Sequence, residues 1–346
     1  MKFLKVLGKL FSFIGVFIVL LVAIVYSMGL IFCYGPSEHA RNLFVTTLLE
    51  TGQMKFVVKL FMSDENVQKI VDSNSMASFS EEIDNSLINT EEIEDINGIE
   101  LVEISGGTYT AKMIIVNDPS RVKLATIYDG SWKEYGVTLD KLVNDNDAFA
   151  GVNGGLYVSD SNKGGRPMGL VVRDGVIEHN SPAGIQGLHL VGFNEDNLLK
   201  VIDLSGKNAS EVEKVIKEEK IRDAVAFQEE MSDANNHFVK LIINGESREV
   251  NGSGSGANPR TAVGQRADGA VLLLVTDGRG ANGHLGATAA DLIEVMEEYG
   301  AVNAANIDGG SSSSMYYDGK YEMTSVTLYY SNSSWRLPTG FIVEKR

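Results

Sequence analysis

A strand, helix and strand between residues 270 and 307 constrain the fold more than any other part of the chain. Ala270 to Thr276 reads AVLLLVT, a continuous apolar run rich in β-branched residues, which is the pattern of a strand buried on both faces. It ends at Asp277-Gly278-Arg279. Thr288 then opens a helix, TAADLIEVMEEYG, in which Leu292, Val295, Met296 and Tyr299 share one face. Asp291 and Glu294 lie in its first turns, and Gly300 stops it. Val302 to Ile307 follows as a second short strand and runs into Asp308-Gly309-Gly310. Such a unit joins parallel strands by a right-handed crossover. Asp277-Gly278-Arg279 and Asp308-Gly309-Gly310-Ser311 are therefore expected at the carboxyl ends of parallel strands, where open α/β sheets bind ligands. The expected fold is mixed α+β, a strand-rich mixed sheet with this βαβ unit carrying the site.

The residue types at that rim suit an anionic ligand rich in hydroxyls. Arg260 and Arg279 offer planar forks of donors for phosphate or carboxylate, and Gly309 and Gly310 let backbone N–H groups come close. Ser311 and Ser312 add hydroxyl donors; they stand outside any Gly-x-Ser-x-Gly elbow and are read as phosphate contacts, not nucleophiles. Asp277 and Asp308 supply the carboxylates for acid/base work.

Four motifs in order carry a resemblance: Asn153-Gly154-Gly155 after a hydrophobic strand, Asn258-Pro259-Arg260-Thr261-Ala262-Val263-Gly264, Asp277-Gly278-Arg279, and Asn306-Ile307-Asp308-Gly309-Gly310-Ser311-Ser312. Over roughly residues 98 to 346 the chain resembles the phosphodiester glycosidases, a family typified by removal of the N-acetylglucosamine that covers mannose 6-phosphate. The resemblance implies hydrolysis of a sugar-1-phosphodiester at the C1–O bond. It further implies Asp308 and Asp277 as catalytic groups, with Arg260, Arg279, Asn153, Gly154, Gly155, Asn258, Gly309, Gly310, Ser311 and Ser312 around the substrate. The segment Ala226-Phe227-Gln228-Glu229-Glu230-Met231 departs from the small, glycine-containing stretch expected there, which bears on substrate range. The competing reading, from another class, is a non-catalytic module that binds a glycan or phosphopolymer and tolerates loss of the aspartates.

The amino-terminal hundred residues follow other rules. Lys2, Lys5 and Lys9 precede an uncharged stretch from Leu10 to Tyr34, long enough to cross a bilayer. Residues 1 to 35 are expected to be cytoplasmic lysines and a single-pass anchor, with the remainder outside the cell; a cleaved signal peptide is the alternative. The only cysteine, Cys33, falls inside the anchor, so the exported part uses no disulfides. Residues 36 to 97 read as a helical stalk, with Ser37 capping one helix and a restart near Ser63-Asp64-Glu65 in the next. An acidic linker over residues 72 to 97 completes it, and residues 98 to 346 form the domain with the site.

A formal net charge of −16 and the lack of a basic patch exclude nucleic acid as a partner. For an anchored ectodomain the expected partners are the membrane, through the apolar helix, and a sugar phosphodiester on a teichoic-acid-like or capsular polymer. His179, His189, His237 and His284 have no paired metal spacing. The reading requires no cofactor, and it leaves calcium open because Asp and Asn are plentiful.

The intervening strands are short. Ile99 to Ile104 and Tyr109 to Val116 form a hairpin about Ser105-Gly106-Gly107, and Val122 to Ile127 follows. Ser325 to Tyr330 and Gly340 to Val343 are expected to close the fold. The glycine-serine loop at residues 251 to 256 is read as a connector or a lid beside Asn258.

Overall fold

A computed structural model describes residues 2–51, 54–80, 82–91, 93–231, 236–324 and 333–346. Four helices come first: α1 (Lys2–Tyr34), α2 (Glu38–Glu50), α3 (Lys55–Lys59) and α4 (Asp64–Asp72). Ser37 caps α2 by accepting from the Ala40 N–H, and Ser63 restarts the chain as α4 by accepting from that of Asn66. The strands then run β1 (Ile99–Ser105), β2 (Thr110–Val116), β3 (Val122–Thr126), β4 (Ala148–Asn153), β5 (Gly169–Arg173), β6 (Val176–Ser181), β7 (Leu188–Asn194), β8 (Leu199–Asp203) and β9 (Ile221–Gln228). After these come β10 (Glu230–Met231), β11 (Asn236–His237), β12 (Lys240–Ile243), β13 (Glu246–Ser247), β14 (Thr261–Arg266) and β15 (Val271–Thr276). The last are β16 (Ala301–Ile307), β17 (Ser314–Tyr317), β18 (Lys320–Thr324) and β19 (Thr339–Glu344). Helices α5 (Leu139–Asp145), α6 (Ala209–Glu218) and α7 (Ala289–Glu298) interrupt them. The strand expected from Ser325 to Tyr330 lies outside the described residues.

Three large sheets share one core. Their orders are β1-β2-β15-β14-β16-β12-β13, β18-β17-β4-β19-β3 and β6-β5-β9-β7-β8. Ile114, Val263, Val275 and Ile307 from the first sheet meet Val152, Met315 and Phe341 from the second and Val191, Phe193 and Val225 from the third. The outer faces are covered separately, the first sheet by α7 through Leu292 and Met296, the second by α5 through Leu142 and Val143, and the third by α6 through Val212 and Ile216. This arrangement explains the apolar run at 271 to 276. Leu273 and Val275 enter the shared core while Leu272 and Leu274 pack into the α7 layer, so neither face has a polar side.

The strand–helix–strand unit forms as read, with one addition. Strand β14 lies between β15 and β16 and is antiparallel to both, which leaves β15 and β16 parallel to each other. Thr261 stands opposite Val275 on one side and Ile307 on the other. The amino end of β14 therefore meets the carboxyl ends of β15 and β16, and Arg260 enters the rim between Thr276 and Asp308.

The acidic stretch from 72 to 97 is not a free linker. Phe79 and Ile83 pack against the shared core, Met76 and Ile88 are buried, and the Ala77 and Asn89 N–H groups donate to the Glu249 and Ala267 carbonyls. Apolar residues scattered among many acids are enough to hold it down.

Candidate active site

The rim is held rigid from beneath by Asn153, at the end of β4. Its side chain is fully buried and bonded at both ends: Oδ1 accepts from Thr261 Oγ1 at 2.7 Å and from the Ser314 N–H at 3.2 Å, and Nδ2 donates to the Asp308 carbonyl at 2.6 Å. Asn153 thus fixes the Asp308 backbone to two sheets. The neighbouring glycines are also set by packing, since a Cβ at Gly155 would meet the Val225 side chain at 2.5 Å. For the three residues expected around the substrate, the structure shows these hydrogen-bonding and packing roles.

Asp308 and Arg279 face one another on this base. Burial pushes the Asp308 carboxyl up to about 7, against the opposing pull of Ser312, the Gly309 N–H and the Arg279 charge. The Gly309 N–H donates to Asp308 Oδ1 at 3.0 Å, and Ser312 Oγ lies 3.0 Å from the Tyr157 hydroxyl. Tyr157 is buried, and burial together with the Asp308 charge raises its hydroxyl far above the usual range. Arg279 adopts φ 53° and donates from Nη1 to Ser311 Oγ at 2.9 Å. Its Nε is buried and has no protein partner. Gly310, at φ +61°, lets the guanidinium approach, because a Cβ there would lie 2.8 Å from Arg279 Nη2. The result is a carboxyl poised near neutrality beside a cation with an orphaned donor, and hydroxyls on both sides.

Arg260 lies one strand away in a different environment. Its guanidinium donates to the Glu50 carboxylate, to Ser255 Oγ at 3.1 Å and to the carbonyls of Gly256 at 2.8 Å and Ala287 at 3.3 Å. It also lies over the Phe238 ring, 4.9 Å from the centroid. Glu50, the last residue of α2, accepts in addition from the Gly256 N–H at 2.6 Å and Asn258 Nδ2 at 3.0 Å. The cradle of Arg260, Asn258 and the 251–256 loop does bind an anion, and the anion is the protein's own. Burial pushes the Glu50 carboxyl up while Arg260 and these donors pull it down. Nothing in the sequence signals this partnership, which joins residues 210 positions apart.

Asp277 does not join Asp308. Its side chain is 2 % exposed and leans toward β2, on the far side of β15 from β16, where Oδ1 accepts from the Thr110 N–H at 2.8 Å and Oδ2 pairs with His284 Nδ1 at 2.7 Å. With β14 between their strands, the two aspartates leave the sheet about 10 Å apart. The half-exposed group on that side is His284, oriented by Asp277. Among the described residues, no three His, Cys, Asp or Glu side chains gather into a group able to hold a metal.

The model of one family, phosphodiester glycosidase, matches residues 146–344, which contain every one of these rim residues except Glu50 and Thr110. The chain belongs to the phosphodiester glycosidase family. A Bacillus subtilis (strain 168) protein described as SPbeta prophage-derived uncharacterized protein YomE is 28% identical over 162 residues, 45% of this chain. Those residues are 23% of the relative, so this chain spans only about a quarter of its length. Among solved structures, the zebrafish N-acetylglucosamine-1-phosphodiester alpha-N-acetylglucosaminidase catalytic domain, described as auto-inhibited by its pro-peptide, matches with a TM-score of 0.53 and 20% identity. The match covers 75% of this chain and 87% of that one. It establishes a shared phosphodiester glycosidase fold, with the β14–β16 rim inside the matched family region.

Proposed function

We propose that the chain hydrolyses a sugar-1-phosphodiester, of the N-acetylglucosamine-1-phosphodiester type, at the C1–O bond. The observation that carries the reading is the Asp308–Arg279 pair: a carboxyl raised to about 7 beside a half-buried guanidinium whose buried Nε has no partner. Arg279 and the Ser311 hydroxyl hold the phosphate, which is already a good leaving group. The remaining demands are stabilising positive charge on the sugar and bringing in an oxygen nucleophile. Ionised Asp308 meets both, either by taking a proton from water or by attacking C1 itself. Tyr157 and Ser312 keep its oxygens in place.

Glu50 belongs to the same proposal. Its carboxylate sits where a ligand phosphate would be held by Arg260 and Asn258, so α2 acts as an internal occupant of the cradle. The zebrafish domain's description as auto-inhibited by its pro-peptide supports this reading. The substrate is proposed to be a sugar phosphodiester of the cell surface, such as a teichoic-acid-like or capsular polymer. The chain is proposed to be membrane-anchored through α1, a helix apolar over Val6–Tyr34. Retention of that helix is supported by its packing, because Cys33 is buried in one cluster with Val45 and Leu49 of α2, Val58 of α3 and Val67 of α4.

The test is release of free N-acetylglucosamine from a methyl phosphodiester of N-acetylglucosamine 1-phosphate by the full chain, beside Asp308→Asn and Glu50→Gln. Turnover that Asp308→Asn abolishes and Glu50→Gln increases supports both parts. Binding without turnover, retained in Asp308→Asn, sinks the hydrolase in favour of a binding module.

A further inference from the structure

We propose that α3 and the residues flanking it form a membrane-contact pad, in which Met54, Phe56 and Leu60 enter the outer interface of the bilayer and fix the height of the Arg260 cradle above it. The inference rests on α1 being a membrane anchor; it does not depend on glycosidase activity.

Two observations place the pad at the right depth. Counted from Leu10, the first residue past Lys9, about 20 residues cross the hydrocarbon, which brings α1 to Gly29 at the outer boundary. Phe61, just after α3, packs on that point. A Cβ at Gly29 would meet the Phe61 ring at 2.2 Å, the Tyr26 and Phe61 ring centroids are 5.3 Å apart, and the Tyr34 hydroxyl donates to the Phe61 carbonyl at 2.5 Å. The end of α3 is thereby tied to the turns of α1 that leave the lipid. Tyr26 and Tyr34 are also of the type that collects at membrane interfaces.

The composition of α3 fits that place. Val58 is fully buried toward α2 and α4, whereas Phe56 and Leu60, four residues apart on one helical face, are 60% and 65% exposed. Met54 adds a third exposed apolar side chain. In an aqueous setting these three would be an apolar patch with nothing to cover it. Lys55 and Lys59 flank the patch, and Lys59 also bridges Asp64 at 3.1 Å.

One geometric consequence reaches the site. Glu50 precedes Lys55 by five positions, so the anion cradle stands at most about 18 Å from the start of the pad. The rim one strand away, where Arg279 and Ser311 would hold the substrate phosphate, is thereby kept close to the bilayer surface.

The experiment uses the full chain in phosphatidylcholine vesicles. Phe56→Cys and Leu60→Cys are labelled with an environment-sensitive fluorophore, with Val176→Cys in strand β6 as an exposed control. The unsubstituted chain, in which Cys33 is buried, gives the reagent background. Quenching by spin-labelled lipid should be several-fold stronger at 56 and 60 than at 176, and quenching by aqueous iodide correspondingly weaker. Labels at 56 and 60 that respond to iodide and lipid as the label at 176 does would overturn the pad. Because all three positions are exposed, folding is not at stake, and near-ultraviolet circular dichroism of each variant confirms it.

Discussion

Two arginines stand one strand apart on the same rim, and they have opposite surroundings. Arg260 donates from Nε and Nη2 to a carboxylate, a hydroxyl and two carbonyls, and lies over an aromatic face. Arg279 has one hydroxyl partner, a neighbouring carboxyl and a buried Nε without a partner. The difference lies in what each cation was desolvated for. A charge paired with an internal carboxylate ties two segments together, whereas one left with an unpartnered buried donor is arranged for a ligand. Arg260 connects the helical segment to the domain, and in the proposed reaction Arg279 holds the substrate phosphate beside Asp308.

The largest effect that would sharpen this contrast is at Asp308. Asp308→Asn should cost about 10²–10⁴-fold in kcat/KM. In the wild type, kcat/KM should rise with pH through about 7 as Asp308 ionises, and that limb should vanish in the variant. The same raised value has a stability consequence of defined sign: the carboxyl's contribution is complete below the ordinary carboxylate range and is lost as pH rises through about 7. Urea denaturation of the wild type and Asp308→Asn across pH 4 to 8 reads that difference.

Glu50→Gln comes next. Breaking a buried ion pair from one side costs about 3–5 kcal/mol, so the variant's Tm should fall. Added inorganic phosphate should then raise Tm more in the variant than in the wild type, because a free anion now fills the cradle. Equal responses to phosphate would break the contrast, since Glu50 would not be occupying an anion site. At Arg279, replacement by Ala removes charge-assisted hydrogen bonds worth about 1.5–3 kcal/mol, and kcat/KM should fall roughly 10- to 100-fold with Tm little changed. A large loss of Tm would make Arg279 a structural cation like Arg260.

The smallest effect is expected at the remote carboxylate. Asp277→Asn and His284→Gln should each cost less than about tenfold in kcat/KM, the size of one neutral hydrogen bond. A loss at Asp277 equal to that at Asp308 would support the paired-carboxylate reading of the two aspartates.

The parts of this site that were legible in the sequence are those that local patterns encode. The apolar run ending at Thr276, the Thr288 cap and the strand ending at Ile307 each report their own environment, and right-handed crossover places their ends on one rim. Strand β14 is less visible because TAVGQR is short, carries a glycine and belongs to a motif. Asn153 and Gly155 were recognised as important, but their service to packing is a matter of three sheets meeting, which spacing does not express. Glu50 was invisible. An acid at the end of an amphipathic helix looks like any solvated residue until the fold brings Arg260 to it. The acidic stretch before residue 97 misled in the same way, since its composition speaks for solvent while Phe79 and Ile83 speak for the core.

The most direct test of the central claim is the position of the new oxygen. The full chain, or Glu50→Gln if the cradle limits turnover, is given the methyl phosphodiester of N-acetylglucosamine 1-phosphate in ¹⁸O-labelled water, and the products are weighed by mass spectrometry. Hydrolysis at C1–O assisted by Asp308 predicts the heavy oxygen in the free sugar and an unlabelled phosphomonoester. Label in the phosphate would mean attack at phosphorus, and would contradict the assignment of Arg279 and Asp308 to a glycosidase.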